Sequence, residues 1–180
     1  MCWSWTGRCR DLSISLIMWQ EDGFLKGTAD VGAAMKKLES YIDSIAEMFK
    51  QYSAEELFRK PAPDKWSKQE ILGHLTDSAL NNLKRFTEIQ FLEQPYRVVS
   101  YEQNKLVVVN GYGALPIDHL IILWQSLNRQ IVYVVKNIPA EKLDYPVDPQ
   151  YDDHEMRTLG WIICDYVAHI EHHLKQIESI

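Results

Sequence analysis

Four stretches of this 180-residue chain repeat apolar side chains at steps of three and four, and each is closed off by proline, glycine or a polar run. That period belongs to the α-helix, and a helix with one apolar stripe must bury it against other helices. Val31, Met35, Leu38, Ile42, Ile45 and Phe49 predict a first helix over 28–52, capped by Thr28 or Asp30. Ser67, with Glu70 three residues on, is a capping box that opens a second helix over 68–93. One edge of its inner face is Ile71, Leu75, Ser78, Asn82, Phe86 and Ile89, and Pro95 ends it. Ile117, Leu120, Trp124, Leu127, Ile131, Val134 and Ile138 mark a third helix over 117–137. Leu159, Ile162, Ile163, Tyr166, Ile170 and Ile177 mark a fourth over 158–178.

The connections are read from their breakers. Ser53 and Glu56 open a short helical turn that Pro61 and Pro63 stop, a brief helix fits 101–110, and GYGALP is a loop. The Pro- and Asp-rich segment 139–156 predicts an irregular arm with a brief hairpin. With no internal repeat, the chain is expected to be all-α, a single four-helix bundle. The connection 94–115 is long enough to cross over, so the second and third helices need not be antiparallel neighbours.

A formal charge of -6, a sequence pI near 5.5 and the lack of any basic run argue against nucleic acid or an anionic membrane as partner. Three cysteines, Cys2, Cys9 and Cys164, do not make a disulfide framework, and a reducing cytoplasm fits them. Cys164 reads as a small buried hydrophobe. Residues 1–18 show no clear period and are expected to lie outside the core as an N-terminal extension, leaving 19–180 as the bundle domain. The apolar run ISLIMW within the N-terminal stretch is too short for a membrane span.

The stretch VAHIEHHLKQ, 167–176, puts three histidines inside the fourth apolar stripe. Positions four apart on a helix stand ~6 Å apart along the axis and only ~40° apart in rotation. His169 and His173 therefore face inward on adjacent turns and can converge on one point, the geometry that makes H-x-x-x-H a chelate on helices. His74, on the inward side of the second helix, offers a third imidazole. Three histidines with an open position are the donor set of a catalytic rather than a structural metal site. The competing reading is of core histidines bonded to their neighbours. His172 points about 80° away from the pair and reads as an outer or surface residue. Asp165, four residues before His169, and Asp77, three after His74, are candidates to orient a ligand or shuttle a proton. Asp165 could instead be a fourth ligand, and each could equally be a solvated charge. His119 and His154 read as surface histidines, and Glu171 with Lys175 as an i,i+4 ion pair.

These residues also carry a resemblance. DKWSKQEILGHLTDSALNNLKRF resembles the start of the second helix of the DinB-like superfamily, the damage-inducible protein B group, where a Trp-Ser pair introduces a helix with a Gly-His step. DYVAHIEHHLKQI resembles its closing H-x-x-H-H-x-x-Q-I pattern, and ALPIDHLIILWQSLNRQIVYVVKNIPAEKL its third helix, with an arginine after the Trp. The resemblance runs from about Ala33 to the last residue. It implies an up-down-down-up four-helix bundle with a divalent metal ion on His74, His169 and His173, and often a homodimer. It also implies kinship with transferases and isomerases that use low-molecular-weight thiols. Imidazoles suit Zn, Ni, Cu and Fe, with Zn or Ni expected here. Such an ion lowers the pKa of a bound water and deprotonates a bound thiol. The expected activity is therefore a metal-dependent hydrolase or thiol transferase acting on a small molecule, with a low-molecular-weight thiol as a candidate co-substrate. The alternative is a non-catalytic bundle, stabilised by its metal, that serves as a stress-response or binding module. Segments 101–112 and 145–154 are candidates to wall the pocket.

Overall fold

The computed structural model describes residues 30–151 and 154–180; the expectation for residues 1–18 lies outside the described residues. Asp30 caps the first long helix, α1 (Val31–Gln51), by accepting from the Ala33 amide at 2.8 Å. Ser53 and Glu56 form the expected capping box at the head of the short α2 (Ala54–Phe58). Ser67 and Glu70 form another at the head of α3 (Lys68–Glu88). These boxes satisfy amide protons that a helix start leaves without partners. The crossover holds β1 (Tyr96–Arg97), α4 (Gln103–Val109) and a 3-10 turn at Tyr112–Ala114. The third long helix is α5 (Ile117–Lys136). The arm after it contributes β2 (Pro146–Asp148) and β3 (Arg157–Thr158), and Thr158 caps the last helix, α6 (Leu159–Ser179).

Side-chain bonds set the helix directions. Glu39 meets Lys136 and Asp43 meets Arg129, so α1 and α5 run antiparallel. Lys68 bonds the Ile177 carbonyl while Ser78 reaches His169, so α3 and α6 are antiparallel as well. Gln69, near the start of α3, donates to the carbonyls of Tyr112 and Leu115 just before α5, which places the heads of α3 and α5 side by side. The bundle is thus up-down-down-up, with a long crossover joining the parallel pair α3 and α5. Leu38, Phe49, Leu72, Phe86, Trp124, Ile131 and Ile170 are among the fully buried side chains of its core.

One expectation needs correction and another is extended. The second long helix ends at Glu88 rather than near 93. The Gln94 side chain donates back to the carbonyls of Ile89 and Leu92 and turns the chain there. The expected hairpin is present as β2 and β3, and it is joined by β1, parallel to β2, in a three-stranded sheet. Among the described residues, no helix is long and apolar enough to cross a membrane.

Candidate metal centre and its cleft

The capping box at Ser67 fixes where α3 begins and sets His74 two turns in, fully buried. Trp66, just before the cap, lays its ring against the His74 ring at 4.8 Å between centroids. From the antiparallel α6, His169 and His173 approach the same point. His169 Nε2 stands 3.1 Å from His74 Nε2 and 3.1 Å from His173 Nε2. The ligand-capable atoms of the three lie within 4.8 Å of one another.

Proton placement tests whether this cluster suits a cation. The His173 Nδ1 lies 2.8 Å from Gln176 Oε1. A carbonyl oxygen only accepts, so Nδ1 carries the proton and the Nε2 lone pair faces inward. Ser78 Oγ sits 3.4 Å from His169 Nδ1 and can hold that ring in the same way. A neutral imidazole nitrogen has a single in-plane site, either an N–H or a lone pair. His169 Nε2 faces two such nitrogens, so at most one of the two contacts can be a sound hydrogen bond. One cation sharing three lone pairs satisfies both. Nitrogens each ~2.0–2.1 Å from a common tetrahedral ion stand about 3.3 Å apart, close to the two 3.1 Å spacings on His169 Nε2. Burial, followed by the charge of neighbouring imidazoles, pushes His74 down to about 3 and His169 well below the ordinary value. Both rings are held neutral, the form that ligates.

The centre opens on a cleft of about 1150 Å³ whose walls include Ser78, Arg85, Tyr101, Tyr151, Asp165 and His172. Asp165 stands half-buried on that wall, and its Oδ2 accepts from the Tyr151 hydroxyl at 3.3 Å. It is not a member of the histidine group. Asp77 is turned elsewhere: its Oδ1 accepts from the Tyr112 hydroxyl at 2.6 Å and from Asn110 Nδ2 at 3.0 Å. Burial raises its pKa and those two bonds oppose the rise. Asp77 thus fastens the crossover to α3 one turn beyond His74. Gly73 serves the same junction, because a Cβ there would meet the Tyr112 ring at 2.3 Å. Of the walls expected from the sequence, Tyr101 and Tyr151 line the cleft, while Tyr112 packs under α3.

His172 is half-buried beside His173, at 5.2 Å between ring centroids, and His119 and His154 are exposed. Cys164 is buried, and that burial pushes its thiol up to about 11. Glu171 departs from its expected pairing with Lys175: it accepts from the Tyr41 hydroxyl at 2.6 Å and pairs with Lys37, both on α1. For three residues around the histidines the sequence predicts a place but no contact with the rings: Trp66, Ser78 and Gln176. Gln176 and Ser78 lie at helical steps of three or four from the histidines and could have been found by that rule; Trp66 lies before the helix, and its signal is the Trp-Ser pair of the DinB-like pattern.

A model of the DinB superfamily matches residues 37–177. The chain belongs to the DinB superfamily. It is 28% identical over 124 residues to a Halalkalibacterium halodurans protein, covering 69% of this chain and 70% of that one. It is 23% identical over 154 residues to one from Oceanobacillus iheyensis, covering 83% and 84%. Both carry the name "putative metal-dependent hydrolase". Among solved structures the fold matches YfiT of Bacillus subtilis with a TM-score of 0.74 at 17% identity, over 85% of this chain and 86% of that one. YfiT is described as "a probable metal-dependent hydrolase with an unusual four-helix bundle topology". That bundle is the DinB fold of this chain.

Proposed function

We propose that this DinB chain is a metal-dependent hydrolase of a small-molecule substrate, with one divalent cation on His74, His169 and His173. Transfer to a thiol is the variant reaction that the same centre could support. The observation that carries the reading is the convergence of three Nε2 atoms, two from α6 and one from α3, at the wall of a large cleft. A divalent cation held there supplies Lewis acidity and makes a nucleophile available at neutral pH.

The chain's own residues do the rest. Gln176 fixes the His173 tautomer, and Ser78 can do the same for His169. Trp66 packs over His74 and His173, at 4.8 and 6.5 Å, and keeps that side of the centre apolar. Asp165 is a carboxylate of the cleft wall, steadied by Tyr151, and can orient a substrate or accept a proton from it. The histidine group contains no carboxylate, which leaves room for an exchangeable ligand and favours an enzyme over a closed, purely structural site.

Metal analysis of the purified chain should find about one divalent ion, and replacing His169 and His173 together by Ala should abolish it. Equal metal in both would overturn the reading. A screen of esters, amides and thiol acceptors, run with metal-loaded and chelator-stripped protein, should show turnover only in the loaded form.

A further inference from the structure

From the histidine centre a polar row runs along one face of α3: His74, Ser78, Asn82, Arg85. Steps of four, four and three keep these side chains on one side of a helix. Beyond His74 the row is linked by hydrogen bonds. Ser78 Oγ reaches His169 Nδ1 at 3.4 Å, Asn82 Nδ2 donates to the Ser78 carbonyl at 2.9 Å, and Arg85 Nη1 faces Asn82 Oδ1 at 3.4 Å. Ser78 and Asn82 are 2% and 7% exposed, where a helix that only packs against its neighbours would carry apolar side chains. All three residues beyond His74 line the cleft.

Arg85 is the charged end of this row. A guanidinium has five N–H donors in a planar fork. Here two are in use, both on neutral acceptors: the long contact to Asn82 and a bond to the Val99 carbonyl at 3.1 Å. The group lies over the Tyr101 ring at 5.8 Å, which holds its plane in the cleft. Among the described residues Arg85 forms no ion pair, whereas Lys37, another cation on the cleft wall, is neutralised by Glu171. Asp165 on α6 shares the cleft and is engaged by Tyr151. Seven residues separate Ser78, level with His169, from Arg85, about 10 Å along the helix axis.

We propose that Arg85 is the recognition residue for an anionic substrate, a small organic carboxylate whose acid group seats on the guanidinium while its reactive end reaches the histidine centre. The second half of that statement rests on the metal-dependent reading above; the first half does not. Arginine suits the task because its fork meets a carboxylate with two parallel charge-assisted bonds.

The test uses the full chain loaded with Zn(II) and two hydroxamate probes, suberic acid monohydroxamate and its counterpart ending in a primary amide, with affinities measured by calorimetry. The acid-ended probe should bind about 10- to 100-fold more tightly than the amide-ended one. Arg85→Gln keeps a donor for the Val99 carbonyl and removes the charge. It should shrink the preference to under about twofold while leaving acetohydroxamate, which has no acid end, bound as before. If that variant loses its helical signal, Arg85→Lys carries the test, with the preference cut at least about threefold for want of the planar fork. Equal binding of acid and amide by the wild type, or a preference that survives Arg85→Gln, overturns the proposal. Failure of acetohydroxamate to bind the wild type counts against the metal reading alone. Hexanoate against hexanamide, titrated by NMR into the metal-free chain and its Arg85→Gln variant, then decides the role of Arg85 by the same criterion.

Discussion

The α1–α5 side of the bundle and the α3–α6 side are built from the same amphipathic pattern and carry different contents. Of the ten buried polar or charged residues among those described, nine belong to α3, its cap or α6, and Asn128 of α5 is the exception. Asn128 is spoken for by the Tyr166 hydroxyl at 2.6 Å. The α1–α5 pair buries aliphatic and aromatic side chains and keeps its charges outside, as in the Lys136–Glu39 and Arg129–Asp43 bridges. The α3–α6 pair buries three histidines' worth of polar surface together with Asp77, Ser78 and Asn82, and some of those atoms lack a protein partner. Gln69 Oε1, His74 Nδ1 and Asp77 Oδ2 are such atoms, against Trp124 Nε1 on the α1–α5 side. Each buried polar atom left unpaired costs free energy. One side of the bundle therefore supplies stability, and the other gives some of it up to hold a site.

The hardest test of that division is to damage the stabilising side and look for an effect on the other. Leu38 on α1 is fully buried. Leu38→Ala should destabilise the fold by about 2–5 kcal/mol, through lost burial and the cavity left behind. Urea unfolding measures this. Metal content per folded chain should stay at one; a loss of metal in the folded fraction would show that the two sides are not separable.

The next test uses protons. In the chelator-stripped chain, unfolded histidines take up protons below about 6.5, while folded His74 does not until about 3 and His169 only well below the ordinary value. Unfolding therefore takes up protons, and stability falls as pH drops through 6.5 toward 3; above 6.5 both states hold the same protons and the dependence vanishes. Two such rings amount to about 3 kcal/mol one unit below 6.5. Asp77, raised by burial, works in the opposite direction nearer the carboxylate range. Urea unfolding in EDTA at pH 7 and pH 5.5 should show the loss, and His74→Ala should remove about half of it. A flat profile in the wild type would mean that the rings are not held neutral by the α3–α6 side.

How much of this was legible beforehand follows the same division. The helices of the stabilising side were read almost residue by residue, because burial of one stripe is all that specifies them: 28–52 became Val31–Gln51 and 117–137 became Ile117–Lys136. On the other side the histidines could be found because helical geometry brings His169 and His173 onto one face, and His74 shares the inward side of its own helix. What escaped was non-local. The Tyr112 ring over Gly73, the turn of Asp77 toward the crossover, and the two-residue β1 strand pairing with β2 some fifty residues later leave no period in the sequence. Arg85 escaped for a different reason. It continues the polar row of α3, yet a lone arginine near a helix end reads as a solvated charge until the cleft around it is seen.

A smaller effect sharpens the boundary within the α3–α6 side. Gln176 lies outside the histidine group and touches the centre through His173 Nδ1. Gln176→Ala should weaken metal binding about 10- to 100-fold, the usual consequence of releasing a ligand's orienting partner. Gln176→Glu, which keeps an acceptor at that point, should restore most of the affinity. Competition with a chromogenic chelator measures both. Equal affinities for wild type and Gln176→Ala would show that helix packing alone orients the ring.

The smallest expected effect lies back on the stabilising side. Lys136 and Glu39 meet at 2.6 Å, with half or nearly half of each side chain exposed to water. Water screens such a pair, and ordering two long side chains offsets much of the attraction. Glu39→Ala should therefore cost no more than about 1 kcal/mol, less at high salt, and leave metal content unchanged. If it cost as much as Leu38→Ala, surface charge rather than buried apolar area would be holding α1 to α5. The contrast between a side that stabilises and a side that binds would then have the wrong physical basis.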